Sequence, residues 1–295
     1  MTLIISKASK DYILQVSDRL VTMSQQPFDP LANKTIIYCA FNGILTISYT
    51  GRAFLGGIPT DQWLAEKLLG MTLPRDHKPT SFGGCKTKFL YVGPAMKELK
   101  DSLNKAINTD IEPKFRQDWI EKSFDLCVEG WVWGSKGNYW PFLASISKPP
   151  KSYTFEYRIE PRRWYLGGKY RVSAAPSTNI SKDVLQSLTD KLANNNSDEA
   201  EANLVFTIRE VSKSNPLVGA DCMSILLPPP PIAQQIPARV RFIPKKEAIA
   251  KLYRKDKQHI VKVAYSPWLI GPQSFSSPSI ISGKGWEITA VRHTN

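Results

Sequence analysis

The first fifty residues alternate between short apolar runs and polar turns. Two runs, 2–6 and 11–17, are rich in β-branched and aromatic side chains, which favours strands. A second pair, 35–39 and 44–49, flanks Phe-Asn-Gly at 41–43, a sequence typical of a tight hairpin turn. The pattern therefore predicts two successive pairs of strands at the start of the chain.

Four later segments carry apolar side chains at helical spacing. The first helix is predicted to start at Thr60 and to end before Gly70, because glycine commonly terminates helices. The four predicted helices are 60–69, 94–108, 179–194 and 198–213.

Strand-like patterns return between the helical segments. They cover 122–170 and 220–227, the latter followed by four prolines. Five of the eight tryptophans lie between positions 119 and 164. Further strands are predicted at 240–243, 259–265 and 286–291. Because strands and helices come in blocks, the order favours an α+β fold over a doubly wound parallel sheet.

The positive charge is concentrated near the C-terminus. The chain has a net charge of +13. Residues 228–295 contain eleven Lys or Arg but only three Asp or Glu. We therefore divide the chain into a core, 1–227, and a basic, strand-rich extension, 228–295, that follows a Pro-rich linker. The basic stretch 239–262 is expected to be a solvated surface, or else a docking surface for an acidic partner or nucleic acid.

Cysteine and histidine chemistry is poorly represented. Four isolated cysteines and three histidines offer neither a disulfide framework nor a zinc motif, so we expect no metal and no cofactor. The Gly-Gly-Cys-Lys-Thr sequence at 83–87 lacks P-loop spacing. No apolar run reaches membrane-spanning length, and the N-terminus does not resemble a signal peptide. These features predict a cytoplasmic protein without a membrane partner.

The second residue is the first candidate for chemistry. Thr2 is small, so we expect Met1 to be removed and Thr2 to become the N-terminal residue. A terminal threonine combines a hydroxyl nucleophile with an α-amine whose ordinary pKa is about 7.7–8.0. That amine can act as the general base for its own side chain.

Two further residues follow Thr2 at regular spacing. Asp18 lies sixteen residues after Thr2, at the end of the second predicted strand, and Lys34 lies thirty-two residues after it, where the third strand opens. This Thr/Asp/Lys arrangement resembles the N-terminal-nucleophile hydrolases, and specifically their proteasome β-subunit branch. A lysine ammonium near the terminal amine lowers the pKa of that amine. Asp18 would hold Lys34 in place.

The resemblance also implies residues that support the nucleophile. Gly51, which follows the fourth strand, corresponds in position to the glycine whose N–H binds the oxyanion. Ser173 and the pair Glu210 and Ser212 are the local counterparts of residues behind the nucleophile.

The region behind the nucleophile departs from the family pattern. Glu210 replaces the usual Asp, and six residues separate Ser212 from Gly219, which should follow it closely. Either Ser212 or Ser214 serves at this place, or neither does.

The resemblance covers residues 2–227, with a Trp-rich insertion at about 110–172. It implies a four-layer αββα sandwich, a homo-oligomer, and hydrolysis of a peptide or amide substrate by Thr2. The alternative is a catalytically weak binding or assembly protein of proteasome fold, whose basic extension docks an acidic partner or nucleic acid. Nucleic acid is the less favoured partner, because no recognised RNA-binding signature accompanies the aromatic and Arg residues at 157–165.

Overall fold

A computed structural model describes most of the chain, with gaps. The described residues are 2–23, 26–29, 32–73, 81–83, 91–110, 117, 120–160, 170–174, 180, 183–184, 186, 196–230, 238–245, 263–272, 274–276, 278 and 280–282.

The described elements are numbered here in chain order. The strands are β1 (Leu3–Ala8), β2 (Ile13–Asp18), β3 (Val21–Met23), β4 (Gln26–Asp29), β5 (Thr35–Ala40), β6 (Gly43–Thr50), β7 (Phe54–Leu55), β8 (Ile58–Pro59), β9 (Ser81–Gly83), β10 (Phe124–Trp133), β11 (Tyr139–Lys148), β12 (Glu156–Ile159), β13 (Tyr170–Ala174), β14 (Cys222–Leu227), β15 (Arg239–Ile243), β16 (Val263–Tyr265), β17 (Trp268–Ile270), β18 (Ser274–Ser276) and β19 (Ile280–Ser282). The helices are α1 (Thr60–Leu69), α2 (Val92–Lys105), continued by a π-helical turn (Ala106–Asp110), and α3 (Ser197–Ser214).

Two large sheets organise these strands. Sheet I has five strands in the order β13-β1-β2-β14-β15, and all its neighbours are antiparallel. Sheet II has eight strands in the order β12-β11-β10-β6-β5-β17-β18-β9. Its neighbours are antiparallel except for β5 and β17, which run parallel with Trp268 opposite Ile36. The predicted α+β class is confirmed.

Among the described residues, the apolar core falls into three clusters. One joins α1 and α2 to sheet II, and its buried members include Leu64, Leu99 and Ile47. Another joins α3 to sheet I, with Leu204 packed in the same cluster as Leu14. The third combines side chains of both sheets, and its buried members include Ile37, Trp131, Ile225 and Phe242. Alternation along each strand explains this division, because successive side chains point to opposite faces of a sheet.

The N-terminal predictions agree closely with the structure. The hairpin between β5 and β6 turns through Phe41 and Asn42, and α1 spans 60–69 as predicted. Gly70 ends α1 in the left-handed conformation at φ 70°. Thr60 is the first residue of α1, as predicted. Pro59 occupies the N-cap position before it, and the Thr60 hydroxyl donates to the Arg52 carbonyl at 2.9 Å.

Other predicted elements are shifted or fall largely outside the described residues. The helix predicted at 94–108 begins two residues earlier and ends in the π-helical turn. The predicted helix 198–213 corresponds to α3. Most of the predicted helix 179–194, and all of the predicted strand 286–291, lie outside the described residues.

The chain beyond residue 228 adds strands to both sheets. β15 is the edge strand of sheet I beside β14, whereas β17 and β18 continue sheet II from β5 to β9. The division of the chain at the proline run stays a prediction. In the described part of the chain, no helix is both long and apolar enough to cross a membrane.

Candidate active site

Asp18 lies at the centre of the candidate site. It ends β2, and its side chain is fully buried. One carboxylate oxygen accepts from the Leu3 N–H at 2.7 Å, and the other accepts from Lys34 Nζ at 2.9 Å. The second oxygen also accepts from the backbone N–H groups of Leu20, at 3.1 Å, and Gly219, at 3.0 Å. Four donors therefore fix this carboxylate.

Lys34 directly precedes β5, and its side chain reaches Asp18. Its ammonium also donates to the Leu20 carbonyl at 2.7 Å, and only 2% of the residue is exposed. Burial lowers the pKa of Lys34, because a charged ammonium loses its hydration, and the nearby Asp18 opposes this effect. The predicted Asp18–Lys34 pair is thus brought together by the fold.

Thr2 directly precedes β1, the strand of sheet I that begins at Leu3. It is 5% exposed, and its neighbour Leu3 is the residue whose N–H binds Asp18. Ser173 lies on the adjacent strand β13, where it pairs with Ile4 of β1. The backbone therefore places Ser173 at the same end of sheet I as Thr2.

Gly51 follows β6 at the same end of the molecule as Lys34. The two segments are joined there by the Tyr49 N–H, which donates to the Lys34 carbonyl at 3.0 Å. Gly51 has a φ of 100°, and a Cβ at this position would lie 2.4 Å from the Ser123 carbonyl oxygen. Only glycine fits this backbone without displacing its neighbours.

Glu210 and Ser212 make local contacts within α3. The Ser212 hydroxyl donates to the Arg209 carbonyl at 2.8 Å, and Glu210 pairs with Lys213 at 2.7 Å. Neither contact is with the Asp18–Lys34 pair. The chain after α3 instead reaches Asp18 through the Gly219 N–H.

Gly219 is a site residue that sequence reasoning did not select. A Cβ there would lie 2.8 Å from Leu20 Cβ and 3.4 Å from Asp18 Oδ2, so a side chain would crowd the carboxylate. Its irregular distance from Ser212, which departs from the family pattern, is the sequence signal at this position.

Arg19 and Asn33, each next to a member of the ion pair, form a second buried contact. Arg19 Nη1 donates to Asn33 Oδ1 at 3.1 Å, and the guanidinium lies 5.3 Å from the Phe242 ring centroid. Burial lowers the pKa of Arg19 to about 10, although nearby carboxylates, Asp29 first, act in the opposite direction. Asn33 Nδ2 in turn donates to the Ser266 carbonyl. No sequence spacing indicated this contact.

The described residues do not suggest a metal centre. Within those ranges, no three side chains among His, Cys, Asp and Glu gather as metal ligands would.

Comparison with solved structures shows a likeness of fold. A structure described as the helical assembly of the Anbu complex from Pseudomonas aeruginosa matches with a TM-score of 0.52 and 12% identity, over 83% of this chain and 88% of that one. Anbu (ancestral beta-subunit) from Yersinia bercovieri matches with a TM-score of 0.50 and 13% identity, over 77% and 82% of the two chains. No family model and no curated protein matches the sequence.

These comparisons correct the family suggested by the Thr/Asp/Lys spacing. The identification with the proteasome β-subunit branch of the N-terminal-nucleophile hydrolases is wrong. The matched structures are Anbu proteins, whose proteasome-like fold differs in architecture from the classic N-terminal-nucleophile hydrolases. At 12–13% identity, the likeness is one of fold alone.

Proposed function

We propose that this chain is an N-terminal threonine amidohydrolase built on a proteasome-like fold. Removal of Met1 exposes the amine of Thr2, and the Thr2 hydroxyl attacks the carbonyl carbon of a peptide or amide substrate. The observation that carries the proposal is the position of Asp18, which binds both Lys34 Nζ and the N–H of the residue after Thr2.

The proposed reaction proceeds through an ester on Thr2. The terminal amine takes the hydroxyl proton as the Thr2 oxygen bonds to the carbonyl carbon. The same proton passes to the leaving amine when the substrate C–N bond breaks. Water then attacks the ester, loses a proton to the terminal amine, and releases the acid product while the Thr2 hydroxyl re-forms.

The other site residues have supporting roles in this proposal. The Lys34 ammonium disfavours a second positive charge nearby and so lowers the pKa of the terminal amine. Asp18 holds Lys34 in place. The Gly51 N–H stabilises the oxyanion, and Ser173 lies on the strand next to Thr2.

We also propose the finer organisation of the fold. Core clusters that join α3 to sheet I, sheet I to sheet II, and sheet II to α1 and α2 support a four-layer αββα arrangement. Residues 1–227 would form its core, and 228–295 a basic extension that supplies additional strands.

Self-association is a further part of the proposal. The Pseudomonas aeruginosa Anbu complex is described as a helical assembly, and the shared fold supports an oligomer of this chain. Light scattering after size exclusion should give a mass at least twice the 33.2 kDa of one chain. A monomer at micromolar concentration would contradict this part of the proposal.

A specific observation supports the second candidate function. Glu210 and Ser212, expected behind the nucleophile, are engaged in contacts within α3. A site without them is consistent with a catalytically weak protein that binds or assembles, using its basic extension on an acidic partner or nucleic acid.

Hydrolysis of a fluorogenic peptide panel distinguishes the two functions. The wild type and Thr2→Ser should turn over at least one substrate, and Thr2→Ala should not. Intact mass must show that Met1 is absent, since a retained methionine blocks the amine. Equal turnover by Thr2→Ala would remove Thr2 from the mechanism. Salt-dependent DNA binding without hydrolysis would favour the second candidate.

A further inference from the structure

We infer that Asn33 is a positioning residue, through which the C-terminal part of the chain holds Lys34 at the candidate site. This inference rests on the proposed function, because the lysine is positioned for the amine of Thr2. The C-terminal segment that includes Phe242 and Ser266 would then have a role at the candidate site.

Asn33 makes three hydrogen bonds from a buried position. Its Oδ1 accepts from Arg19 Nη1 at 3.1 Å, and its Nδ2 donates to the Ser266 carbonyl. Its backbone carbonyl accepts from the Tyr49 hydroxyl at 2.9 Å. Only 7% of Asn33 is exposed, and the next residue is Lys34. Hydrogen bonds therefore hold both the side-chain amide and the backbone carbonyl of Asn33 in place.

Arg19 ties the same contact to Asp18. It follows Asp18 directly, and its backbone N–H donates to the Asp221 carbonyl at 3.1 Å. Arg19 is only 1% exposed, and its guanidinium lies over the ring of Phe242 in β15. A cation buried over an aromatic ring is attracted by the negative face of the ring. Phe242 thus supports Arg19 from the C-terminal part of the chain.

Ser266 is brought to Asn33 by the parallel pairing of β17 with β5. Trp268 lies opposite Ile36 in that pairing, so the residues two positions earlier, Ser266 and Lys34, lie near each other. The contact joins residues 233 positions apart in sequence. The C-terminal part therefore closes over the backbone that carries Lys34.

Loss of the Asn33 amide should loosen Lys34 without removing its charge. Arg19 would lose an acceptor and the Ser266 carbonyl a donor, both in a buried region. The Lys34 ammonium would then spend less time close to the terminal amine. The pKa of that amine should rise toward its ordinary value of about 7.7–8.0.

The test compares Asn33→Ala with Asn42→Ala in the full chain beginning at Thr2. Asn42 is a matched control, because its Oδ1 accepts from the Val92 N–H at 2.9 Å at the opposite end of the same hairpin. NMR titration of 13C-labelled threonine gives the pKa of the Thr2 amine, and peptide hydrolysis gives kcat/KM. Urea unfolding measures the stability of each variant.

We expect Asn33→Ala to raise the amine pKa and to lower kcat/KM roughly 10- to 100-fold, as a small misplacement can do. Asn42→Ala should leave both unchanged. Phe242→Leu, which keeps apolar volume beneath Arg19, should also raise the amine pKa. It is the test variant to use if Asn33→Ala does not fold.

An amine pKa that matches the wild type in both Asn33→Ala and Phe242→Leu would overturn the inference, even if stability falls. Failure of the proposed function gives a different result, namely no Thr2-dependent hydrolysis by the wild type. The pKa comparison still decides the positioning role in that case.

Discussion

The carboxylate of Asp18 lies 2.9 Å from the ammonium of Lys34, and the two side chains are 0% and 1% exposed. Each charge in this pair depends on the other, because neither has bulk water to solvate it. Removal of one member of a buried pair leaves an uncompensated charge and typically costs about 3–5 kcal/mol.

We therefore predict that Asp18→Asn lowers the free energy of unfolding by about 3–5 kcal/mol. The double variant Asp18→Asn with Lys34→Met should be more stable than Asp18→Asn alone, because it removes the unpaired ammonium. Urea unfolding of both variants measures this difference. If the double variant is the less stable one, the pair does not behave as a coupled buried ion pair.

Gly219 should tolerate no side chain. A Cβ would lie 2.8 Å from Leu20 Cβ, so Gly219→Ala must displace Leu20 or Asp18. We expect a loss of about 1–3 kcal/mol in unfolding free energy, together with reduced hydrolysis. Gly134→Ala is the control, because its Cβ would meet Trp140 at 3.7 Å, an ordinary contact. Equal losses of stability and of hydrolysis in the two variants would show that the close packing of Gly219 against Asp18 is unimportant.

Asp61 should make stability depend on pH. Burial raises its pKa to about 6, although hydrogen bonds from the Gln62 backbone and the Trp268 side chain act in the opposite direction. Between about pH 4 and pH 6 the native state holds a proton that the unfolded chain has released, so stability falls as pH rises.

Asp61→Asn removes this contribution. The unfolding free energy of the variant minus that of the wild type should increase from pH 4 to pH 7 by up to about 3 kcal/mol. Denaturant titrations at several pH values measure the difference. Asp101→Asn, on an exposed part of α2, is the control. A difference for Asp61→Asn that does not change with pH would show that the carboxyl has its ordinary pKa.

Glu201 on α3 anchors β15, the edge strand of sheet I. Its carboxylate accepts from Arg241 Nη1 at 2.9 Å and from the Ser224 hydroxyl, and the residue is 6% exposed. We predict that Glu201→Gln speeds hydrogen exchange of the β15 amides roughly 10- to 150-fold, because charge-assisted hydrogen bonds contribute about 1.5–3 kcal/mol.

The exposed Glu199→Gln on the same helix should produce a smaller change. Amides of β5 should keep their exchange rates in both variants. Acceleration that spreads equally to β5 would indicate a global loss of stability and not a local anchor.

Local patterns in the sequence predicted the elements that depend on neighbouring residues. The turn at 41–43, the end of α1 at Gly70 and the span of α3 each follow from a few adjacent side chains. The spacing of Asp18 and Lys34 also led to a pair that the structure brings together. Each of these features lies on one strand, one helix or one hairpin, or joins two segments close in sequence.

Contacts between distant segments could not be predicted in this way. The parallel pairing of β17 with β5, the Asn33–Ser266 hydrogen bond and the Phe242–Arg19 contact join residues more than 200 positions apart. Neither periodicity nor spacing reports which distant backbone will lie beside Asn33. The family suggested by the Thr2, Asp18 and Lys34 spacing was wrong for a related reason, since three residues at regular spacing constrain one corner of the fold and not its whole architecture.

The most direct test of the central claim is the mass of the protein during turnover. Consider an ester substrate whose acyl group is transferred to the protein faster than water removes it. The protein should then gain the mass of that acyl group. After acid quenching and digestion, that mass should appear on the N-terminal peptide, at Thr2, and should be absent from Thr2→Ala. Steady hydrolysis with no acyl mass at Thr2, or with the acyl group on another residue, would contradict the account.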